Sequence, residues 1–152
     1  MTDSKPSNPK DAAAVDRAPL ALVPVPALVE ESLAWAEGLL KYGAHNYTVV
    51  GIRSSVYVFG CLRHVFKWWL GQERDPVTGV HHLGSARANL GALLDAQLRQ
   101  KLNDDRPPSV PSDVVDKLFD GASATLRKLV ELYGDRNPRH FSISDTEHAR
   151  EV

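Results

Sequence analysis

The sequence predicts an all-α domain, a helical bundle of about four main helices preceded by an extended N-terminal arm. Three observations carry that prediction. Apolar residues recur at helical spacing in four separate runs. Most of those runs are bounded by glycine or proline. The runs are also longer than the five or six residues typical of a strand.

The elements follow in order. Residues 1–18 hold Pro6, Pro9 and several charges with no apolar period, which predicts a flexible arm. Leu20 to Pro26 is apolar but broken by prolines, so it should run extended. The first helix should begin near Pro26, where proline suits the first turn, and stop at Gly43, a good left-handed cap. Ala44 to Gly51 reads as a loop. The second helix covers about Arg53 to Leu70; its β-branched and aromatic content allows a strand, but its length favours a helix. Gln72 to Gly79 is a turn around Asp75-Pro76. The third helix covers about Val80 to Leu102, with Leu83, Leu90, Leu93, Leu94 and Leu98 as its apolar stripe. Asn103 to Asp113 is a proline-rich connector. The fourth helix starts at Ser112, a plausible N-cap, and ends at Gly134, with Gly121 able to split it. The domain plan is therefore an arm (1–18), a helical domain (19–108), a C-terminal helix packed on it (109–134) and a tail (135–152) in which Arg139, His140 and Phe141 dock locally.

Composition narrows the function. A net charge of −1 gives no global electrostatic case for nucleic acid or an anionic membrane. The one cysteine, Cys61, excludes an intrachain disulfide framework and a multi-cysteine zinc site. No run reaches the ~18 apolar residues of a membrane span, and the first residues lack the apolar core of a signal peptide. A cytoplasmic protein is the expectation.

Polar residues in helical positions are the candidates for chemistry. Glu30, Glu37 and Lys41 share a face of the first helix, which is ordinarily a solvated one; Glu31 lies ~100° away. Arg63 and His64 interrupt an apolar stretch with Val65, Phe66, Trp68 and Trp69 beside them, and a buried imidazole needs a partner. His82, Ser85 and Asn89 share a face that continues into Ala92 and Ala96, leaving room for a ligand or a close helix approach. Glu30, His64, Asp75 and His82 are suitable ligand types for a divalent ion in a bundle. Oxygen donors suit Mg²⁺, and histidine shifts the balance toward Mn²⁺, Zn²⁺ or iron. Arg53 and Arg63 are phosphate-binding candidates or ion-paired surface groups. Trp35, Trp68 and Trp69 read as core or contact residues rather than base-stacking groups.

Several strings, in order, resemble the N-terminal domain family of phage and bacterial dATP/dGTP diphosphohydrolases, relatives in name of the MazG-like nucleotide pyrophosphohydrolases. They are SNPKDA (7–12), LVP (22–24), KYGAHNY (41–47), GIRSSVYV (51–58), LRHVFKWWLGQERDP (62–76), TGVHHLGSARANL (78–90) and LNDDRPP (102–108). The resemblance implies a MazG-like all-α fold and hydrolysis of a purine deoxynucleoside triphosphate, dGTP or dATP, to the monophosphate and pyrophosphate, with Mg²⁺ or Mn²⁺. On the matching positions it implies Glu30, His64, Asp75 and His82 as metal-binding and catalytic residues. It implies Lys41, Arg53 and Arg63 facing phosphates, and Asn46 and Asn89 facing sugar or base. Gln72 and Ser85 depart from the pattern, where a carboxylate and a second histidine are common. They motivate an alternative, a non-catalytic helical module of phage or prophage origin that binds a nucleotide or a protein. The expected partner is a purine deoxynucleotide, with no membrane and no direct nucleic-acid contact. Host cytoplasm is the expected location if the protein is phage-encoded. Helices with polar faces close a core poorly alone, so a homo-oligomer, dimer or tetramer, is also expected.

Overall fold

A computed structural model describes residues 18–148. The expectations for residues 1–17 and 149–152 lie outside the described residues. The chain is mainly helical, as its periodicity predicts. Its helices are α1 (Val25–Tyr42), α2 (Asn46–Val50), α3 (Ser54–Trp69), α4 (His82–Leu98), α5 (Ser112–Tyr133) and α6 (Ile143–His148). Two two-residue strands, β1 (Ile52–Arg53) and β2 (Leu102–Asn103), pair in parallel.

Local signals explain most boundaries. Pro26 sits in the first turn of α1, where a missing amide costs nothing. Gly43 closes α1 at φ +89°, its amide donating to the Leu39 carbonyl at 2.9 Å. Three expectations need correction. Leu20–Leu22 forms a 3₁₀ turn rather than an extended strand. The expected loop at 44–51 contains α2, held between His45 at φ +55° and Gly51 at φ +80°. The third helix is shorter at both ends: Val80 and His81 precede it, and Leu102 belongs to β2.

The largest correction concerns the core. Most of the leucine stripe of α4 does not form it: Leu90, Leu94 and Leu98 are 53%, 61% and 75% exposed, while Leu83 and Leu93 are half-buried. The opposite, small-residue face is buried, comprising His82, Gly84, Ser85, Ala86, Ala88, Ala92 and Ala96. That face packs against both α1 and α3. Small side chains allow the backbones to approach closely. A Cβ on Gly84 would lie 2.5 Å from the Glu30 carbonyl oxygen, so α1 and α4 meet nearly backbone to backbone. At the α3 contact, a Cβ on Gly60 would lie 2.9 Å from Asn89 Oδ1. Ile52, Ala92 and Ala96 form the apolar centre, with Trp35, Tyr47, Tyr57, Leu93 and Leu102 against them.

The paired strands join the start of α3 to the end of α4. Ile52 donates to the Lys101 carbonyl at 3.0 Å. A Cβ on Gly51 would sit 2.6 Å from that same oxygen, and its φ is positive, so only glycine fits without strain. Asp105 caps the first turn of α3, accepting from the Ser55 amide at 2.8 Å and the Ser55 hydroxyl at 2.5 Å.

None of the residues of α5 is buried. Gly121 does not split it, and Ser112 is its first residue rather than its cap, which falls on Pro111. After it, Arg139 lies over the Phe141 ring at 4.6 Å and pairs with Asp145, contacts within that short segment.

Gly84→Ala is expected to cost about 1–3 kcal/mol, the usual penalty for overpacking. Gly38→Ala, where a Cβ meets nothing within 4 Å, should be neutral or stabilising by up to ~1 kcal/mol. Thermal melts of the two variants beside the parent check this.

Candidate active site

The helix arrangement opens a cleft of about 870 Å³ between the C-terminal half of α1, the 43–47 turn, the middle of α3, the 75–78 turn and α4. It gathers Lys41, Asn46, Arg63, His64, Asp75 and Asn89, which the sequence singled out. Glu30, Arg53 and His82 are not on its wall.

The centre of the site is a chain of side chains running from the loop into the cleft. His82 is fully buried at the start of α4. Its Nε2 lies 2.9 Å from Gln72 Oε1, and its Nδ1 lies 3.0 Å from His64 Nδ1. A carbonyl oxygen only accepts, so His82 carries its proton on Nε2 and its Nδ1 is an acceptor. His64 must then donate from Nδ1, which leaves the lone pair on His64 Nε2. Arg63 Nη2 stands 3.5 Å from that nitrogen. Burial is the main cause lowering the pKa of both histidines, with Arg63 adding for His64 and Lys67 for His82. Both rings are therefore neutral near pH 7, as this bonding scheme requires.

The other candidates have definite engagements. Glu30 is held by Arg74 through two bonds of 2.6 and 3.1 Å, and Arg74 also donates to the Gly79 carbonyl at 3.0 Å. Those bonds lower the Glu30 pKa and tie α1 to the 72–79 loop. Asp75 Oδ1 accepts from the Val77 and Thr78 amides at 3.0 and 3.1 Å, the bonds that shape its turn and keep its pKa low. Lys41 is paired with Glu37, which raises its pKa; both line the cleft rather than forming a plain outer face. Asn89 donates from Nδ2 to the Ser85 carbonyl at 2.8 Å. Arg53 lies away from the cleft, 3.7 Å from Asp105.

The expected metal ligands therefore do not converge. Among the described residues, no group of three or more His, Cys, Asp or Glu side chains could hold a metal ion. Glu30 is committed to Arg74, and both His82 nitrogens are committed to neighbours. Of that set, His64 and His82 meet, while Glu30 is paired with Arg74 and Asp75 with the amides of its own turn.

Three contributors escaped the sequence reading. Gln72 fixes the His82 tautomer, though it stood out only as a departure from a pattern. Glu31, placed on no face by spacing, accepts from Trp35 Nε1 at 3.2 Å and from Arg87 Nε at 3.0 Å, bridging α1 to α4. Trp35, Tyr47 and Tyr57 form an aromatic wall inside the cleft. Tyr47 is anchored there by donating to Asp95 at 2.9 Å.

A central helix of small residues, flanked by two helices over a polar and aromatic cleft, is the kind of helical scaffold that presents a small-molecule site between its helices. Residues 7–106 match the family described as dATP/dGTP diphosphohydrolase, N-terminal, and the chain belongs to that family. The family name denotes nucleotide diphosphohydrolases, and the matched segment spans α1 to β2. Neither curated proteins nor solved structures give a match.

Because the folded state disfavours the charged imidazoles, stability attributable to His64 and His82 is fully present above the unfolded pKa of about 6.5. It is lost as pH falls from there through the lowered folded values. The carboxylates with lowered pKa lose their contribution only at more acidic pH. The melting temperature should therefore decline between pH 7 and pH 5, and decline less steeply in His82→Gln. Gln72→Glu should raise the His82 pKa, which an NMR titration of the ring reads directly.

Proposed function

We propose that the cleft hydrolyses a purine deoxynucleoside triphosphate, dGTP or dATP, to the monophosphate and pyrophosphate. The observation that supports this is the meeting of a neutral imidazole, two cationic side chains and an aromatic wall in one cleft of a chain belonging to this family. In the proposed step, His64 Nε2 accepts a proton from a water molecule as the water oxygen attacks the α-phosphorus. The bond from that phosphorus to the oxygen bridging toward the β-phosphorus breaks, and pyrophosphate leaves with the electron pair. His82 and Gln72 hold His64 in the tautomer that keeps the lone pair on Nε2, from which Arg63 turns toward the phosphates. Arg63 and Lys41 face the phosphate oxygens and offset their charge. Trp35, Tyr47 and Tyr57 take the base, with Asn46 and Asn89 as its polar contacts.

The divalent ion enters in this reading with the substrate, as the Mg²⁺ or Mn²⁺ complex of the triphosphate, and the carboxylates on the wall are Glu37 and Asp75. Glu30 and Arg53 have no part in the step.

The non-catalytic alternative draws on one observation, the failure of the expected ligand set to converge. Under it, calorimetry detects nucleotide binding while no pyrophosphate appears.

Pyrophosphate release from each deoxynucleoside triphosphate, with Mg²⁺ and with Mn²⁺, tests the proposal. His64→Ala should lower kcat by about 10²- to 10⁴-fold, the usual worth of a general base. Lys41→Ala should act mainly on KM. Parent activity no higher than that of His64→Ala sinks the reading.

A further inference from the structure

The aromatic wall of the cleft is held from behind. Trp35 and Tyr47 lie side by side, their ring centroids 5.8 Å apart and their planes tilted by 33°. Each ring carries one polar tip, and each tip is bound by a carboxylate that does not line the cleft. Trp35 Nε1 donates to Glu31 at 3.2 Å, and Glu31 pairs with Arg87. The Tyr47 hydroxyl donates to Asp95 Oδ2 at 2.9 Å, and Arg99 Nε donates to that same oxygen at 2.8 Å. Arg87 lies within α4 and Arg99 caps its end. One pattern therefore occurs twice: a ring on the cleft, a carboxylate behind it, and an arginine fixing the carboxylate.

The two rings do not depend on their carboxylates equally. Trp35 stands on the long helix α1 and packs on the α4 backbone, where a Cβ on Gly91 would lie 3.2 Å from Trp35 Cζ2. Tyr47 stands on α2, five residues set between His45 and Gly51, both at positive φ. A helix that short has no stability of its own. A single side-chain hydrogen bond joins α2 to α4, and it is the one from Tyr47 to Asp95. Packing of the Tyr47 ring on the core around Ile52, Ala92 and Ala96 fixes its depth, but apolar packing is not directional. The bond to Asp95 supplies the direction. The Arg99 bond is the main cause holding the Asp95 carboxyl below its usual pKa, with the Tyr47 bond second. Asp95 is thus an ionised acceptor, the stronger kind.

Engaging the polar tips also decides what the pair offers a ligand. An indole N–H and a phenol O–H each have one hydrogen to donate, and here both are spent on carboxylates. What remains for a base is ring surface. Stacking tolerates any base and strengthens with ring area.

We propose that Asp95 is a positioning residue for base recognition. Through Tyr47 it holds the aromatic wall in the orientation that stacks on a purine, and that wall does not choose between guanine and adenine. The inference rests on the cleft's being the nucleotide site; the base edges are left to Asn46 and Asn89.

Calorimetry of the full chain with dGMP, dAMP and dCMP tests this without requiring turnover. The parent should bind both purine monophosphates more tightly than dCMP. Asp95→Ala should weaken dGMP and dAMP alike, by about tenfold, and Tyr47→Phe should do the same. Asp95→Asn, whose amide oxygen still accepts from Tyr47, should stay within about threefold of the parent. Adding Asp95→Ala to Tyr47→Phe should weaken binding no further, because the bond it removes is already gone. In pyrophosphate release, Asp95→Ala should raise KM about tenfold and leave kcat within about twofold. Should Asp95→Ala lose helical signal in circular dichroism, Tyr47→Phe, which keeps the ring, decides by itself. Parent-like binding by Asp95→Ala or Tyr47→Phe, a further loss in the double variant, a loss confined to one purine, or a parent that binds no purine overturns the proposal. A parent that binds dGMP with this pattern yet releases no pyrophosphate sinks the hydrolytic reading and leaves the role of Asp95 standing. Pyrophosphate release with an unchanged KM in Asp95→Ala does the reverse.

Discussion

The close approach of α4 to α1 is the constraint on which the rest of the structure depends. At Gly84 the two helices leave no space for a methyl group. That contact fixes the distance between α1 and α4, and the alanines at 86, 88, 92 and 96 carry the same close packing along the helix. A wider separation would move Lys41 and the aromatic wall away from His64. A core of small residues buries little apolar area per side chain, so the domain relies on geometry, on the Glu30–Arg74 and Glu31–Arg87 ion pairs and on the strand clamp between Ile52 and Leu102. Exposed ion pairs contribute little individually. Their role here is better described as orientation: both join α1 to the segment from Arg74 to Arg87.

A second layer of order lies in the histidine chain. A buried polar ring is expensive unless each nitrogen has a partner. His82 meets that requirement with Gln72 on one side and His64 on the other. The consequence passes outward, because satisfying the buried ring decides which nitrogen of the outer ring keeps its lone pair. A side chain with no contact to the cleft thus sets the chemistry of one that lines it.

Much of this was legible in the sequence, and the rest was not for identifiable reasons. The helix end at Gly43 followed from a backbone preference that acts locally, its φ being +89°. The cleft's polar residues stood out because polar side chains at helical spacing within apolar runs are unusual. The burial of α4 was read in part: the Ala92 and Ala96 face was read as suited to a close helix approach, but Leu90, Leu94 and Leu98 were taken for core. Leucines signal a core in most helices, but a helix squeezed between two others can bury its alanines and expose its leucines. Sequence pattern gives the period of a face without saying which face is inside. The engagement of Glu30 was missed for a related reason. Glu30 and His64 are correct ligand types, but ligand type does not reveal that Arg74, distant in sequence, takes Glu30 first. Gln72 could have been found by asking what satisfies a histidine buried at a helix start.

The connector from 104 to 111 has no regular structure and carries Pro107, Pro108 and Pro111. Proline fixes φ and restricts the residue before it, so this stretch behaves as a strut rather than a tether. Eight residues of an extended proline-rich segment span at most about 25 Å, at about 3.1 Å per residue. The two sides of this connector nonetheless touch, since a Cβ on Gly71, just after α3, would lie 3.1 Å from Ile143 Cδ1 at the start of α6.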